Sequence, residues 1–216
     1  MKNLREAMKL YLVTDRRWLK GGNFCACIEN ALKNSVTMVQ LREKDVPWAS
    51  YAGDARKIRA MCREYRVPLV VNDDISAAEA LDVDGVHIGQ GDGSIPEARR
   101  ALGANKIVGV SVTSLEEAFL AQEQGADYLG VGAMFPTGSK VDADLVDMAT
   151  LRDICARTSV PVVAIGGIGK DNLHRLADTG VDGIAVISAI LAQEDVGLAT
   201  RELSLQLDGW GRQALR

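Results

Sequence analysis

Eight short β-branched runs, each followed by a longer stretch of helical character, are what most constrains this chain. They fall at 10–13 (LYLV), 37–41 (TMVQL), 69–71 (LVV), 85–88 (GVHI), 106–110 (KIVGV), 128–132 (YLGVG), 160–165 (VPVVAI) and 183–187 (GIAVI). Between them lie segments such as WASYAGDARKIRAMCREY, IPEARRAL, LEEAFLAQEQ, LVDMATLRDICART and NLHRLADT. Strands that alternate with helices build right-handed βαβ units and a parallel sheet. Eight such units of roughly 20 to 30 residues fit a (β/α)8 TIM barrel, an α/β fold, near the compact end of its range. The alternative is an open doubly wound sheet, which needs only five or six of the runs to be strands.

The joints between helix and strand repeat a theme. ALDVDGVHI, EQGADYLGV and DTGVDGIAV each set Gly or Asp just before a strand, where glycine ends a helix and the acid suits a turn. No linker rich in Pro, Gly or Ser divides the chain, and 216 residues with 47% hydrophobic and 25% charged content suit one core. The expectation is a single barrel domain over residues 1–216.

Composition also removes classes of function. A formal charge of −4 and the lack of a basic stripe argue against nucleic acid as a partner; any bound anion must be caught locally. No apolar run approaches the roughly 18 residues of a membrane helix, and the charged N-terminal stretch is no secretory signal, so a cytoplasmic location without membrane contact is expected. Cys25, Cys27, Cys62 and Cys155 lack zinc-site spacing and are too sparse for a disulfide scaffold. With only His87 and His174, a multi-histidine metal site is excluded and carboxylate chemistry stays open.

In a (β/α)8 barrel the C-terminal strand ends and the loops after them form the active-site mouth. The second run leads into VQLREKD. If the chain stays extended there, Gln40, Arg42 and Lys44 share one face, which looks either into water or at an anion. The third run ends in Asn72, Asp73 and Asp74, and the fourth carries Asp92 in its loop. Asp74, just before a short helical stretch, reads as a helix cap. Asp73 and Asp92 read either as turn formers or as ligands of a hard cation such as Mg²⁺, which takes one or two carboxylates and fills its shell with substrate oxygens and water.

GAMFPTGSK, after the sixth run, offers Thr137, Ser139 and Lys140; on that segment alone an ordinary polar loop is the simpler reading. AIGGIGKDNL, after the seventh, places Gly166, Gly167 and Gly169 between strand and helix, where backbone amides approach an anion. Ile187 and Ser188 join them from the eighth run, and the loops after strands seven and eight are the usual phosphate site of the fold. Two anion sites emerge: an amide-and-hydroxyl site suited to a monophosphate, and a site with Arg42, Lys44, Lys140 and two carboxylates suited to a diphosphate, a good leaving group. Ser111, in GVSVT after the fifth run, either contacts substrate or satisfies a backbone group. His87, between apolar neighbours, reads as a structural histidine. Cys25 and Cys27 carry no nucleophilic role, and VDADLVD after Lys140 is either a lid or a solvated loop.

At VQLREKD, VVNDD, HIGQGD, GVSVTS, FPTGSK, AIGGIG and VISAI, in order and with similar gaps, the sequence resembles the thiamine phosphate synthase family. The resemblance spans YLVTD at 11–15 through VISAI at 186–190. It implies a (β/α)8 transferase that joins an aminopyrimidine-methyl diphosphate to a thiazole monophosphate, with small molecules as its partners. Gln40 through Lys44, Asn72, Ser111 and Lys140 would hold the pyrimidine diphosphate; Asp73 and Asp92 would bind Mg²⁺; Thr137, Gly138, Ser139, Gly167, Ile187 and Ser188 would hold the thiazole phosphate. Arg42, Lys44, Lys140 and Ser111 are the catalytic candidates. The implied mechanism is dissociative and needs no side-chain nucleophile. Ser139 stands where Thr is commoner, and VDADLVDMATL differs from the family's usual stretch after the lysine. A related thiazole tautomerase would carry a histidine where this chain has Ala133, and lacks the intact diphosphate and metal motifs. A non-catalytic phosphate-sensing barrel is the remaining alternative.

Overall fold

In a computed structural model, which describes residues 3–44, 46–138 and 144–210, the eight runs are eight parallel strands closed into a barrel in sequence order. They are β1 (Leu10–Val13), β2 (Met38–Leu41), β3 (Leu69–Asn72), β4 (Gly85–Ile88), β5 (Ile107–Val112), β6 (Tyr128–Val131), β7 (Val162–Ile165) and β8 (Gly183–Val186). The helices are α1 (Leu4–Ala7), α2 (Phe24–Lys33), α3 (Trp48–Tyr65), α4 (Ile75–Leu81), α5 (Ile95–Leu102), α6 (Leu115–Glu123), α7 (Met148–Arg157), α8 (Ser188–Leu191) and α9 (Val196–Asp208). Pairing of β1 with β8 closes the ring, so the open-sheet alternative falls.

Period-two alternation divides each strand between two cores. Leu10, Leu12, Val39, Leu41, Leu69, Val71, Val86, Ile88, Val108 and Val110 pack outward with the helices. Tyr11, Val13, Met38, Val70, Ile107, Tyr128, Val163 and Ala185 fill the barrel, and Ala7 and Met8, at the end of α1, join them. The short α1, which has no counterpart among the expected helices, thereby stops the N-terminal end of the barrel. Where NLHRLADT predicts a helix after β7, the chain instead makes a 3-10 turn at Leu173–Leu176. The Asn172 side chain ties back to the preceding glycine turn, bonding Gly169 N and Gly167 O, and Gly180 takes φ of +90° soon after.

The acidic joints do more than turn the chain. Asp127 accepts, through a carboxylate oxygen, the second N–H of the preceding strand, Val108, at 2.7 Å, and Asp84 and Asp182 accept the first, Leu69 and Val162, both at 2.8 Å. Thr37 does the same for Leu10 with its hydroxyl at 2.8 Å. Backbone groups that begin a strand are thus satisfied without water, and register at the N-terminal end is set strand pair by strand pair.

Candidate active site

The loops that leave the C-terminal strand ends are held by local bonds that follow from their sequence. After β3, Asp74 caps α4, accepting Ala77 N at 2.8 Å, as its place before Ile75 predicts. After β4, Ser94 and Glu97 form a capping box at the start of α5 with Pro in its first turn, which fixes the far end of the Asp92 loop. Gly89 gives that loop its near end: a Cβ there would stand 2.5 Å from Asp92 Oδ2, so only glycine lets the carboxylate lie back against the strand end.

β2 stops at Leu41, so the extended geometry expected for Gln40, Arg42 and Lys44 holds only at its start. Gln40 faces the barrel interior and is 3% exposed. Arg42 N donates to Thr14 Oγ1 at 2.9 Å and its guanidinium Nη1 donates to Asp15 Oδ2 at 3.1 Å. Burial alone would raise the Asp15 pKa, yet the Arg17 guanidinium and backbone N–H, with Arg42, hold it below the usual carboxylate value. Arg16 ties the same two loops together through Glu43 at 2.6 Å and reaches Asp54 at 2.8 Å. Lys44 stands exposed on the rim.

Gln40, Asn72, His87 and Ser111 take inward positions on β2 to β5, the neighbouring strands, with Asn72 opposite His87 in register. They make one side of the mouth polar. Ser111 Oγ lies 2.9 Å from His87 Nε2, so its hydroxyl meets a side chain and not a backbone group. His87 is structural in the sense expected: buried, with desolvation pushing its pKa down to about 4, it stays neutral at ordinary pH.

Asp73 is a strongly perturbed carboxylate at the mouth. Burial first, then the Asp92 carboxylate beside it, pushes its pKa up to about 6, against a downward pull from Asn72 and Arg42. Asn72 Nδ2 donates to Asp73 Oδ2, and Asp73 holds φ of +62°, a left-handed conformation that costs a non-glycine residue energy. Two carboxylates driven together are the donor set of a hard divalent cation. Among the described residues no group of three or more His, Cys, Asp or Glu side chains is placed to hold a metal. A cation on Asp73 and Asp92 must therefore complete its shell with water or substrate oxygen, and that suits Mg²⁺.

On the opposite side, the loops after β6 and β7 pack backbone against backbone. Met134 N donates to Ile165 O and Phe135 N to Gly166 O, both at 3.0 Å. Gly167 has φ of +64°, and a Cβ on it would stand 2.5 Å from Pro136 O and 2.6 Å from Phe135 O. The glycine turn is thus pressed on the segment that carries Thr137 and Gly138. The Trp18 indole covers Gly138, with 3.3 Å left for a Cβ. Ile187 precedes the short α8, which Ser188 begins, and β8 lies beside β7, so Gly167 and Ser188 sit at adjacent strand ends. Ser139, Lys140 and the beginning of VDADLVD, residues 141–143, fall outside the described residues.

The structure therefore gathers Gln40, Arg42, Asn72, Asp73, Asp92 and Ser111 on one side of a single mouth, with Thr137, Gly138, Gly167, Ile187 and Ser188 on the strand ends opposite. Reading strand ends alone missed Asp15, Trp18 and Asn172. Asp15 had a visible signal, as the last residue of YLVTD at a strand end. Cys25 and Cys27 lie in α2, and their thiols are pushed up chiefly by burial, that of Cys25 also by the Asp54 carboxylate beside it.

Comparison with known proteins bears on the family and the fold. A family model described as thiamine monophosphate synthase matches residues 10–190. A thiamine-phosphate synthase of Clostridium botulinum is 46% identical over 196 residues, covering 90% of this chain and 96% of that protein. One from Clostridium tetani is 45% identical over 204 residues, covering 94% and 98%. Among solved structures, a thiamine phosphate pyrophosphorylase from Pyrococcus furiosus superposes with a TM-score of 0.88 at 44% identity, over 95% of this chain and 98% of that one. A closed eight-strand barrel, a mouth with paired carboxylates facing a glycine turn, and relatives matched over nearly their whole length agree: this chain belongs to the thiamine monophosphate synthase family.

Proposed function

We propose that the chain is a transferase that joins 4-amino-2-methyl-5-pyrimidinylmethyl diphosphate to a thiazole monophosphate, releasing diphosphate and forming thiamine phosphate. The observation that carries this reading is the convergence of Arg42, Asp73 and Asp92 at one mouth, with no activated nucleophile beside them among the described residues. Such a site suits a reaction in which the leaving group departs first and the substrates supply both the cation and its captor.

On this reading Gln40, Asn72 and Ser111 hold the pyrimidine ring at the polar side of the mouth, and Arg42, Lys44 and Lys140 hold its diphosphate. Mg²⁺ at Asp73 and Asp92 supplies, when bound, positive charge to the diphosphate oxygens. Arg42 and the two lysines stabilise the negative charge that grows on the bridging oxygen as its bond to carbon breaks, the preorganised electrostatics that usually dominate catalysis. Thr137, Gly138, Ser139, Gly167, Ile187 and Ser188 hold the thiazole phosphate so that its ring nitrogen faces the methylene carbon, which turns a bimolecular capture into a local one. Among the described residues no helix is long and apolar enough to cross a membrane, and a cytoplasmic location with small molecules as partners accords with the reading.

The test is diphosphate release by the purified protein with both substrates and Mg²⁺. Stoichiometric formation of thiamine phosphate is expected, with Arg42→Ala and Lys140→Ala lowering turnover about 100-fold while substrate affinity changes less. Binding of both substrates at saturation without product would favour a phosphate-sensing barrel.

A further inference from the structure

Below the mouth, five polar side chains form one continuous line through the barrel. Gln40 Nε2 donates to Tyr11 Oη at 2.8 Å. The Tyr11 and Tyr128 hydroxyls meet at 2.7 Å. Tyr128 Oη lies 2.8 Å from His87 Nδ1, and His87 Nε2 lies 2.9 Å from Ser111 Oγ. The line begins on β2 and ends on β5, at two residues of the mouth, and crosses the interior by way of β1, β6 and β4.

The fold makes room for it. A Cβ on Gly109 would stand 2.1 Å from the Tyr128 ring, and one on Gly130 would stand 3.2 Å from the His87 ring. Both glycines hold inward positions, where such barrels usually carry bulky aliphatics. Tyr11, Tyr128 and His87 are all buried, so each hydroxyl and ring nitrogen must find its partner within the line.

Counting protons gives the line a direction. The Gln40 amide nitrogen only donates, so Tyr11 accepts there and its one proton goes to Tyr128. Tyr128 then gives its proton to His87 Nδ1. A neutral imidazole that accepts at Nδ1 carries its hydrogen on Nε2, and that hydrogen goes to Ser111 Oγ. Ser111 is left with its own hydroxyl proton.

We infer that Tyr11, Tyr128 and His87 are positioning residues: their one-way line of hydrogen bonds anchors Gln40 and fixes the Ser111 hydroxyl as a donor, offered to an acceptor atom of the bound pyrimidine ring. The ligand half of this statement rests on the proposed reading of Gln40 and Ser111 as pyrimidine contacts. The direction of the line does not.

Two measurements test it. The first is proton-detected ¹⁵N NMR of histidine-labelled protein without substrate, with the exposed His174 assigned through His174→Gln. A neutral Nε2–H tautomer is expected at His87, giving way to a mixed population in Tyr128→Phe. A dominant Nδ1–H tautomer or an imidazolium in the wild-type protein overturns the inference. The second is calorimetric binding of the pyrimidine diphosphate. Tyr128→Phe is expected to weaken it about tenfold, to leave thiazole phosphate affinity within about twofold, and to have no further effect in a Ser111→Ala background. Equal losses with and without the Ser111 hydroxyl, or no loss, overturn the positioning role. Should Tyr128→Phe fail to fold, the wild-type spectrum still decides the direction, and a dominant Nδ1–H tautomer there overturns the inference by itself. Absent product formation by the wild-type enzyme would overturn the proposed function instead, and leaves the tautomer measurement decisive for the direction of the line.

Discussion

Asp15 holds Arg42 across the seam between β1 and β2, its Oδ2 accepting the guanidinium Nη1 at 3.1 Å, while it also accepts Arg17 N and so caps the 3-10 turn that follows. The Asp15 side chain is 5% exposed and that of Arg42 15%. One carboxylate thereby shapes the loop after β1 and aims the cation offered by the loop after β2.

Asp15→Asn keeps the capping oxygen and removes the charge. Turnover is expected to fall about tenfold, with a stability loss of about 1–3 kcal/mol, the usual range for a weakened charge-assisted bond in a buried setting. Steady-state kinetics and thermal unfolding check it; turnover equal to wild type would show that Arg42 needs no such support.

Asp73 gives a pH dependence whose sign can be worked out. Its pKa rises from 3.8 in the unfolded chain to about 6 in the fold, so between those values the folded state keeps a proton that the unfolded state has lost. The group's contribution to stability therefore falls as pH rises through that window and is level above it. In chelator, Asp73→Asn is expected to melt higher than wild type, by a margin that grows between about pH 4 and 6 and then stays constant. Mg²⁺ at neutral pH should reverse the order by stabilising only the wild type. The Asn side chain also tolerates the left-handed backbone at this position, but that gain does not vary with pH, so the pH series separates the two effects.

Gly89→Ala tests the carboxylate site without removing a ligand. The added methyl would meet Asp92 Oδ2 at 2.5 Å, the far end of a side chain that can swing away, so the fold is expected to keep its melting temperature. The Mg²⁺ concentration for half-maximal activity should rise about tenfold, as expected when a fixed ligand is displaced. A change in stability with unaltered Mg²⁺ dependence would place Asp92 outside the metal site.

Gly167→Ala meets backbone on both sides. The left-handed conformation alone costs a β-carbon roughly 1–2 kcal/mol, and the carbonyls of Phe135 and Pro136 cannot yield without moving the Thr137 loop. Lower thermal stability is expected together with a rise of about tenfold or more in the KM for thiazole phosphate, against a change within about twofold for the pyrimidine diphosphate. Equal losses for both substrates would count against two separate anion sites.

The strands were legible in the sequence because β-branched runs punctuated by Gly and Asp carry their own signal, and Asp74 was legible as a cap because the helix it starts is adjacent to it. The site residues on strand ends could be found by counting, since the fold delivers every strand end to one mouth. The line through the barrel could not. Tyr11 and Tyr128 are 117 residues apart and read singly as apolar core, and only closure of the ring brings their hydroxyls together. The support that Asp15 gives Arg42 was hidden for the same reason, as was the early end of β2, which moves Arg42 and Lys44 from a strand face to a loop.

The short α1 has a kinetic meaning. With Ala7 and Met8 packed into the lower end of the interior, and aromatic rings filling the middle, the described residues stop the barrel below the mouth. On the proposed assignment the pyrimidine lodges at depth, against Gln40 and Ser111, beneath whatever the outer loops hold. On that assignment the reactants would enter in order of depth, the pyrimidine compound before the thiazole.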